Sequence, residues 1–283
     1  GIILALGPAL APTIGGLMLP LFGWQSIFLL MTVIGFLVIW VALFSMKETV
    51  TADPSRLNFK ALGRTYKALL SNPQFLSAAL VMGGALGALY AQATFLPFIL
   101  MDEVGLTPAQ FGASMLAQSG SFFTASLLVR QLMGRFSADR LVGPGLVFVA
   151  LGSLGTLTLL LWPPSFLHVM VPVATYSFGI AFVMPAMSTA ALAPFGRAAG
   201  AAASMLGFNQ MGSGLLVGSL GALMGNALLA MATLIPMMGA VACVSFLVYR
   251  KIQPRPAPAA PAETRATCGP KVTAPTPVSA PEK

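Results

Sequence analysis

Side chains that could transfer a proton, attack a carbonyl or bind a metal are scarce in this sequence. It has one histidine, His168, and two cysteines, Cys243 and Cys268, whose spacing fits neither a disulfide framework nor a metal site. None of the carboxylates lies in the middle of an apolar segment, and acids, His and Cys at membrane depth are too few for a nucleophile with its base. This distribution disfavours an enzyme and predicts no cofactor and no metal site. The carboxylates are Glu48, Asp53, Asp102, Glu103, Asp139, Glu263 and Glu282.

Uncharged polar side chains are spread along the apolar segments instead. In hydrocarbon each must find a hydrogen-bond partner or face a water-filled space. Two interpretations stay open: they form hydrogen bonds between packed helices, or they line a cavity for a small lipophilic molecule. Methionines such as Met82 and Met184 add adaptable apolar surface to such a cavity. The candidate residues are Tyr90, Gln92, Thr94, Gln118, Ser119, Ser121, Tyr176, Asn209 and Gln210.

The elements that must position these groups are long apolar runs. Of the 283 residues 57% are hydrophobic and 8% are charged, whereas an average soluble domain is about 25% charged. The runs continue over about 20 residues without alternation, which predicts membrane-spanning helices and not barrel strands. The sequence therefore predicts an all-α membrane protein with eight spans, at 1–22, 24–45, 75–101, 108–129, 141–162, 165–188, 198–221 and 227–248.

Basic residues fall on every second connection between these segments. Because Lys and Arg in short loops are retained on the cytoplasmic side, we expect both ends of this chain to be cytoplasmic. The formal charge of +8 is spread over the membrane edges rather than along one stripe, which argues against a nucleic-acid partner. Connections with Lys or Arg lie near 46–74, 130–140, 193–198 and 250–251, and those without lie near 22–25, 102–103, 162–165 and 222–226.

Two polar stretches complete the predicted organisation. From Asn58 onward the long connector has helical periodicity, which predicts an amphipathic helix, either in the headgroup layer or as a solvated linker. Its apolar face comprises Phe59, Leu62, Tyr66, Leu69 and Leu70. The end of the chain is rich in Pro, Ala and Thr without apolar periodicity, which predicts a disordered tail. The predicted units are two helices in 1–46, the cytoplasmic connector 47–74, a six-helix bundle in 75–250 and the tail 251–283.

The first segment contains the sharpest local pattern. Gly7, Ala11 and Gly15 are spaced by four residues, so they form a groove where another helix can approach, and Pro12 bends the helix. An ordinary packing face would have the same pattern. With Gly16, the run G-x3-A-P-x2-G-G resembles the antiporter motif, usually G-x3-G-P-x2-G-G, on the fifth helix of major facilitator superfamily drug exporters.

Later stretches extend this resemblance over nearly the whole chain except the tail. The runs FLPFILMDEVGLTPAQFG at 95–112 and ALAPFGRAAGAAASMLGFNQMGSG at 191–214 resemble the Bcr/CflA-like drug resistance branch of that superfamily. The resemblance implies two bundles with twelve helices in all and proton-coupled export of small drugs. This chain would then be N-terminally truncated and hold helices five to twelve. The family's G-x3-D-R/K loop matches only loosely, because Gly134 stands one place too far from Asp139 and Arg140.

The leading hypothesis is a secondary active multidrug efflux transporter, working as a monomer by alternating access. It would take small lipophilic or amphiphilic substrates, with protons as the coupling ion. His168 lies at a segment end, where a structural role is favoured, so the proton carrier is expected in upstream helices. The alternatives are a non-transporting membrane fragment and a transporter of another small metabolite. A membrane-embedded enzyme is disfavoured.

Overall fold

The computed structural model describes residues 14–15, 18–45 and 59–252, and the secondary structure in these ranges is helical. A π-helical segment, Phe98–Glu103, continues the helix Pro73–Pro97, and two 3₁₀ segments, Thr158–Leu160 and Ala193–Ala198, follow the helices Ala138–Leu157 and Phe166–Leu192. The predicted tail and the first part of the connector lie outside the described residues. The α-helices are α1 (Gln25–Ser45), α2 (Phe59–Ser71), α3 (Pro73–Pro97), α4 (Pro108–Leu132), α5 (Ala138–Leu157), α6 (Phe166–Leu192), α7 (Ala199–Leu223) and α8 (Ala227–Ile252).

Side-chain caps fix where several of these helices begin. The side chain of Asn72 accepts hydrogen bonds from the backbone N–H of Gln74 and of Phe75 at the start of α3. Thr107 and Gln110 form a capping box at the start of α4, in which each side chain bonds to the backbone of the other. The Asn226 side chain accepts from the N–H of Leu229 in α8. Each cap satisfies backbone donors that have no partner within the helix.

Helix α3 lies at the centre of the packed region and contacts α6, α7 and α8. Glycines let these backbones approach closely. A Cβ added at Gly84 would lie 2.9 Å from backbone atoms of Met238 and Ala242 in α8. Where α5 crosses α6, one added at Gly152 would lie 2.6 Å from the Tyr176 nitrogen. Tight packing of small residues replaces the hydrophobic driving force that apolar helices lack in a membrane.

The contacts between helices also give their directions. Gly83 faces Asn209 and Gly87 faces Ser213, so α3 and α7 run in parallel. Helix α8 runs the opposite way, because Gly84 faces Met238 while Gly221 of α7 packs beside Ala230. Helix α5 pairs with α6 in antiparallel fashion, whereas α4 and α6 run in parallel.

With these helix directions, the described charged residues lie at the two opposite ends of the packed helices. We call one the basic end, where Arg64, Lys67, Arg130, Arg135, Arg140, Arg250 and Lys251 lie, and the other the acidic end, where Asp102 and Glu103 lie.

Five of the described helices are long and apolar enough to cross a membrane by length and composition: α1, α3 with its π segment, α5, α6 and α8. Helices α4 and α7 coincide with the predicted fourth and seventh spans and have 25 residues each. Helix α4 is rich in Ser, Thr and Gln, and α7 is rich in glycine and carries Asn209 and Gln210. The predicted first span lies largely outside the described residues. The all-helical fold class is confirmed.

Helix α2 occupies the place of the predicted amphipathic helix. Leu69 is fully buried against the other helices and Tyr66 is partly buried, whereas Arg64 and Lys67 are exposed. Leu70 is about half exposed, so only part of the predicted apolar face packs on the bundle. Helix α1, in contrast, has no buried residue.

Candidate functional site

Two polar side chains of α7 connect this helix to the backbone of α3. The Asn209 Nδ2 donates to the carbonyl oxygen of Ala79, and the Ser213 hydroxyl donates to that of Gly83 at 2.9 Å. We call these four residues the α3–α7 seam. Asn209 and Ser213 are four residues apart and hence on one helix face, and the glycine at 83 leaves room for the amide. Asn209, a candidate cavity residue from the sequence, therefore serves helix packing here.

Tyr176 forms a similar contact between α6 and α3. Its side chain is completely buried, and its hydroxyl donates to the carbonyl oxygens of Ala85 at 3.0 Å and Gly84 at 3.3 Å. Ser121 of α4 likewise donates to the Ala174 carbonyl of α6 at 2.7 Å. For these two candidates, too, the structure gives the interhelical hydrogen bond that the sequence left open.

Gln92 of α3 behaves differently from these residues. It is fully buried, yet neither its amide nitrogen nor its amide oxygen has a hydrogen-bond partner among the described residues. It follows Ala85 by about two helical turns and so lies on the same face of α3, the one toward α6. An unpaired amide in such a place costs about 1–3 kcal/mol. Buried polar groups in native proteins are as a rule paired with protein, water or a ligand, so the Gln92 amide calls for a partner beyond the described residues.

The other amide candidates are half-buried. Gln118 of α4 and Gln210 of α7 make no side-chain hydrogen bond within the part of the chain that the structure describes. Together with Gln92 they place free amides on three helices, and we call Gln92, Gln118 and Gln210 the amide set. Uncharged amides that both donate and accept can bind a polar group on an otherwise apolar molecule.

The aromatic and hydroxyl candidates on α3 lie beside α7. Tyr90 is 36% exposed and its Cβ packs against Gly214. Thr94 is exposed, lies next to Gly218, and donates to the Tyr90 carbonyl of its own helix. Ser119 of α4 is buried.

The packing motif of the first segment is described only in part. Gly7, Ala11, Pro12 and Gly16 lie outside the described residues. Gly15 is helical, and a Cβ added there would meet Ile27 Cδ1 at 3.9 Å, an ordinary contact distance. The role of this motif therefore stays a prediction.

The two charged loop candidates lie at the basic end. Asp139 is in the first turn of α5, where a carboxylate favours the positive end of the helix dipole, and Arg140 follows it. Both are exposed.

His168 has hydrogen-bond contacts at the acidic end. Its Nε2 lies 2.7 Å from the Thr158 hydroxyl and its ring packs edge-on against Trp162. These contacts connect the ends of α5 and α6 and agree with a structural role. Among the described residues no three His, Cys, Asp or Glu side chains form a group that could hold a metal.

Sequence reasoning missed Ser213, Ser153 and Ser177. Ser213 could have been found from its spacing of four to Asn209. Ser153 and Ser177 are buried hydroxyls without a partner in the described part of the chain, and a serine within an apolar helix gives no signal of that in the sequence.

Comparison with known proteins identifies relatives of this chain. The sequence profile described as Major Facilitator Superfamily matches residues 1–222. The Multidrug resistance protein MdtL of Escherichia coli O157:H7 is 30% identical over 215 residues, 74% of this chain and 52% of the relative. The Uncharacterized MFS-type transporter YdgK of Bacillus subtilis (strain 168) is 25% identical over 224 residues, 77% of this chain and 55% of the relative.

A third relative matches a shorter stretch. The Multidrug transporter MdfA of Edwardsiella ictaluri (strain 93-146) is 30% identical over 140 residues, 50% of this chain and 34% of the relative. The chain spans about half the length of MdtL and YdgK, and less of MdfA.

Proposed function

We propose that this chain, which belongs to the major facilitator superfamily, is part of a multidrug efflux transporter that exports small amphiphilic molecules by alternating access, with protons as the counter-ion. Membership of the superfamily supports a transporter rather than an enzyme. MdtL and MdfA are named as a multidrug resistance protein and a multidrug transporter, which supports drugs as the exported molecules. The activity of the whole transporter is part of this proposal, because the chain spans about half the length of MdtL and YdgK.

The observation that carries the proposal is the unpaired amide of Gln92. In a bundle where Asn209, Tyr176 and Ser121 all use their polar atoms for packing, Gln92 does not. A ligand that enters between the helices would supply the missing partner. We infer that the amide set and Tyr90 contact the substrate and that the seam holds α3 and α7 together while the bundle rocks.

The proton carrier has to be assigned elsewhere. Each carboxylate that the structure describes, Asp102, Glu103 and Asp139, lies at a helix end rather than at mid-depth. A coupling group must be exposed alternately to both sides and therefore lies within the membrane. We propose that it belongs to residues outside the described ranges.

Orientation and domain organisation follow from the charge pattern. We place the basic end in the cytoplasm of a bacterial cell, in the inner membrane, because Lys and Arg are retained there. On this view α3 to α8 form the C-terminal six-helix bundle, and α1 belongs with the N-terminal one. We propose that the transporter works as a monomer.

Drug accumulation tests the proposal. In cells that express the protein, ethidium should accumulate less than in control cells, and a protonophore should abolish the difference. Gln92→Leu should raise accumulation toward the control level. The matched variant is Thr175→Val, because the Thr175 hydroxyl bonds only to its own helix, at the Val171 carbonyl; it should export normally. Normal export by Gln92→Leu at equal expression would refute the role of Gln92.

A further inference from the structure

Helix α2 has a basic face on the side opposite its contact with the bundle. Leu69 is fully buried against the other helices, whereas Arg64 and Lys67 are exposed. Successive residues of an α-helix are turned by about 100°, so both basic residues lie within about 40° of the direction opposite Leu69. Lys60 precedes Arg64 by four residues in the same helix and so occupies the same side. We call Lys60, Arg64 and Lys67 the basic face of α2.

The packing of α2 holds this face in place. The helix contacts α3 and α7, and Tyr66 packs, partly buried, against the same apolar core as Leu69. Asn72 separates α2 from α3 with an extended backbone (φ −86°, ψ 113°), so α2 is not a continuation of α3. A surface on a helix that is already folded and packed loses less conformational entropy on binding than a flexible loop does.

Negative charge is scarce around the basic face. Helix α2 contains no Asp or Glu, and Asp139 is the one carboxylate that the structure describes at the basic end. The other described basic residues at this end add to a positive potential, which attracts anions. They are Arg130, Arg135, Arg140, Arg250 and Lys251.

The position of α2 relative to the membrane favours lipid as the source of the anion. Helix α2 ends at Ser71, and Pro73 already begins a helix that is long and apolar enough to cross a membrane. Leu70 of α2 is 49% exposed, and Leu76 and Leu80 of α3 are 40% exposed, so apolar surface continues from α2 onto the span. Phospholipid headgroups form a layer about 5–8 Å thick on each side of the hydrocarbon. The end of α2 therefore lies at the depth of the phosphates.

We propose that the basic face of α2 binds the phosphate groups of anionic phospholipids, while Leu70 contacts the upper part of their acyl chains. Arginine offers a phosphate two parallel N–H donors, and lysine adds a compact point charge. Zwitterionic lipids also carry a phosphate, but their own cationic group competes for it, so the surface selects anionic lipid. It lies apart from the amide set and binds lipid whether or not a molecule is exported.

Fluorescence quenching in nanodiscs tests the proposal. In a variant without native cysteines, Ser71→Cys carries bimane at the exposed last residue of α2. A minor part of a phosphatidylcholine bilayer is replaced by phosphatidylglycerol with a nitroxide near the top of one acyl chain. Phosphatidylcholine with the same label measures quenching by random contact. At equal mole fraction the anionic lipid should quench about tenfold more strongly, since each Lys or Arg near an anionic surface contributes up to about fivefold. High salt should remove most of this preference.

Charge and apolar variants separate the two parts of the surface. Arg64→Gln with Lys67→Gln should reduce the preference for phosphatidylglycerol to about twofold or less. The matched double variant, Arg130→Gln with Arg135→Gln, removes the same charge from exposed positions elsewhere at the basic end and should keep the preference. Leu70→Gln should weaken quenching by both lipids alike. These side chains are exposed or half exposed, so circular dichroism should show a folded bundle in each variant.

Two results would overturn the proposal: equal quenching by the two lipids when the basic face is intact, or an undiminished preference in the variant with both Arg64→Gln and Lys67→Gln. Glycerol phosphate, the soluble part of the lipid, should not displace the labelled lipid, and displacement would mean a site for free phosphate instead. Gln92→Leu should keep the lipid preference, so failure of this proposal and failure of the transport proposal are distinguishable.

Discussion

Replacing Gln92 by leucine should make the protein more stable and less active. The side chain is fully buried and its amide has no partner in the described part of the chain. Leaving such a group unpaired costs about 1–3 kcal/mol, and leucine fills a similar volume without polar atoms. Part of that gain is lost to imperfect repacking, which costs below about 1.5 kcal/mol for shape-conserving replacements. We expect the free energy of unfolding to rise by about 1 kcal/mol.

The assay is unfolding from mixed micelles by increasing SDS, followed by circular dichroism, with ethidium export measured in parallel. Asn209→Ala is the comparison variant, and we expect it to change the free energy of unfolding in the opposite direction, because Asn209 donates across the α3–α7 seam to Ala79. Interhelical hydrogen bonds in membranes contribute about 0.6 kcal/mol on average, with values up to about 1.7, so this variant should lose stability. The two variants should thus shift the unfolding midpoint in opposite directions.

A destabilised Gln92→Leu protein would refute the reasoning. That result would mean that the amide contributes to folding through a partner in the folded bundle, as Asn209 does, and that loss of export merely follows from misfolding. A rise in stability together with loss of export is the pattern expected for a group kept for function at the expense of stability.

Three further predictions concern packing and topology. Gly152→Ala should lower the free energy of unfolding by about 1–3 kcal/mol through overpacking, because its Cβ would lie 2.6 Å from the Tyr176 nitrogen. The control is Gly143→Ala on the same helix, which has open space around it and should be neutral or stabilising in the same SDS titration. Tyr176→Phe removes the hydroxyl bonded to α3 and should cost about 0.6 kcal/mol; no loss of stability in that titration would show that the bond contributes nothing. Leu161 at the acidic end is 73% exposed and Phe136 at the basic end is 46% exposed. In a variant without native cysteines, Leu161→Cys should react with a membrane-impermeant maleimide in intact cells, whereas Phe136→Cys should react only after lysis. Labelling of both positions in intact cells would contradict the charge-based orientation.

The sequence by itself determined the helical class, the approximate bounds of the helices and the separation of charge. Apolar runs of about 20 residues admit only helices in a bilayer, because every backbone group must be bonded within its own segment. The predicted second span at 24–45 and α1 at Gln25–Ser45 agree within a residue, since hydropathy and turn signals such as Gly23 with its positive φ are local properties. The superfamily was also predictable, from local runs of residues alone.

Only the tertiary structure decided how the polar groups are used. Asn209, Gln210, Gln118 and Gln92 are all amides in apolar segments. The Asn209 amide bonds to the α3 backbone, whereas among the described residues the side chains of Gln210 and Gln118 have no hydrogen-bond partner and Gln92 is buried without one. The difference arises from which face of each helix meets a neighbour, and that depends on contacts between segments far apart in sequence. The same holds for a pocket at the acidic end, whose walls come from residues near 95–103 and 221–228. Hydropathy predicts which segments lie in the bilayer, whereas the packing of helices against one another determines which atoms each side chain contacts.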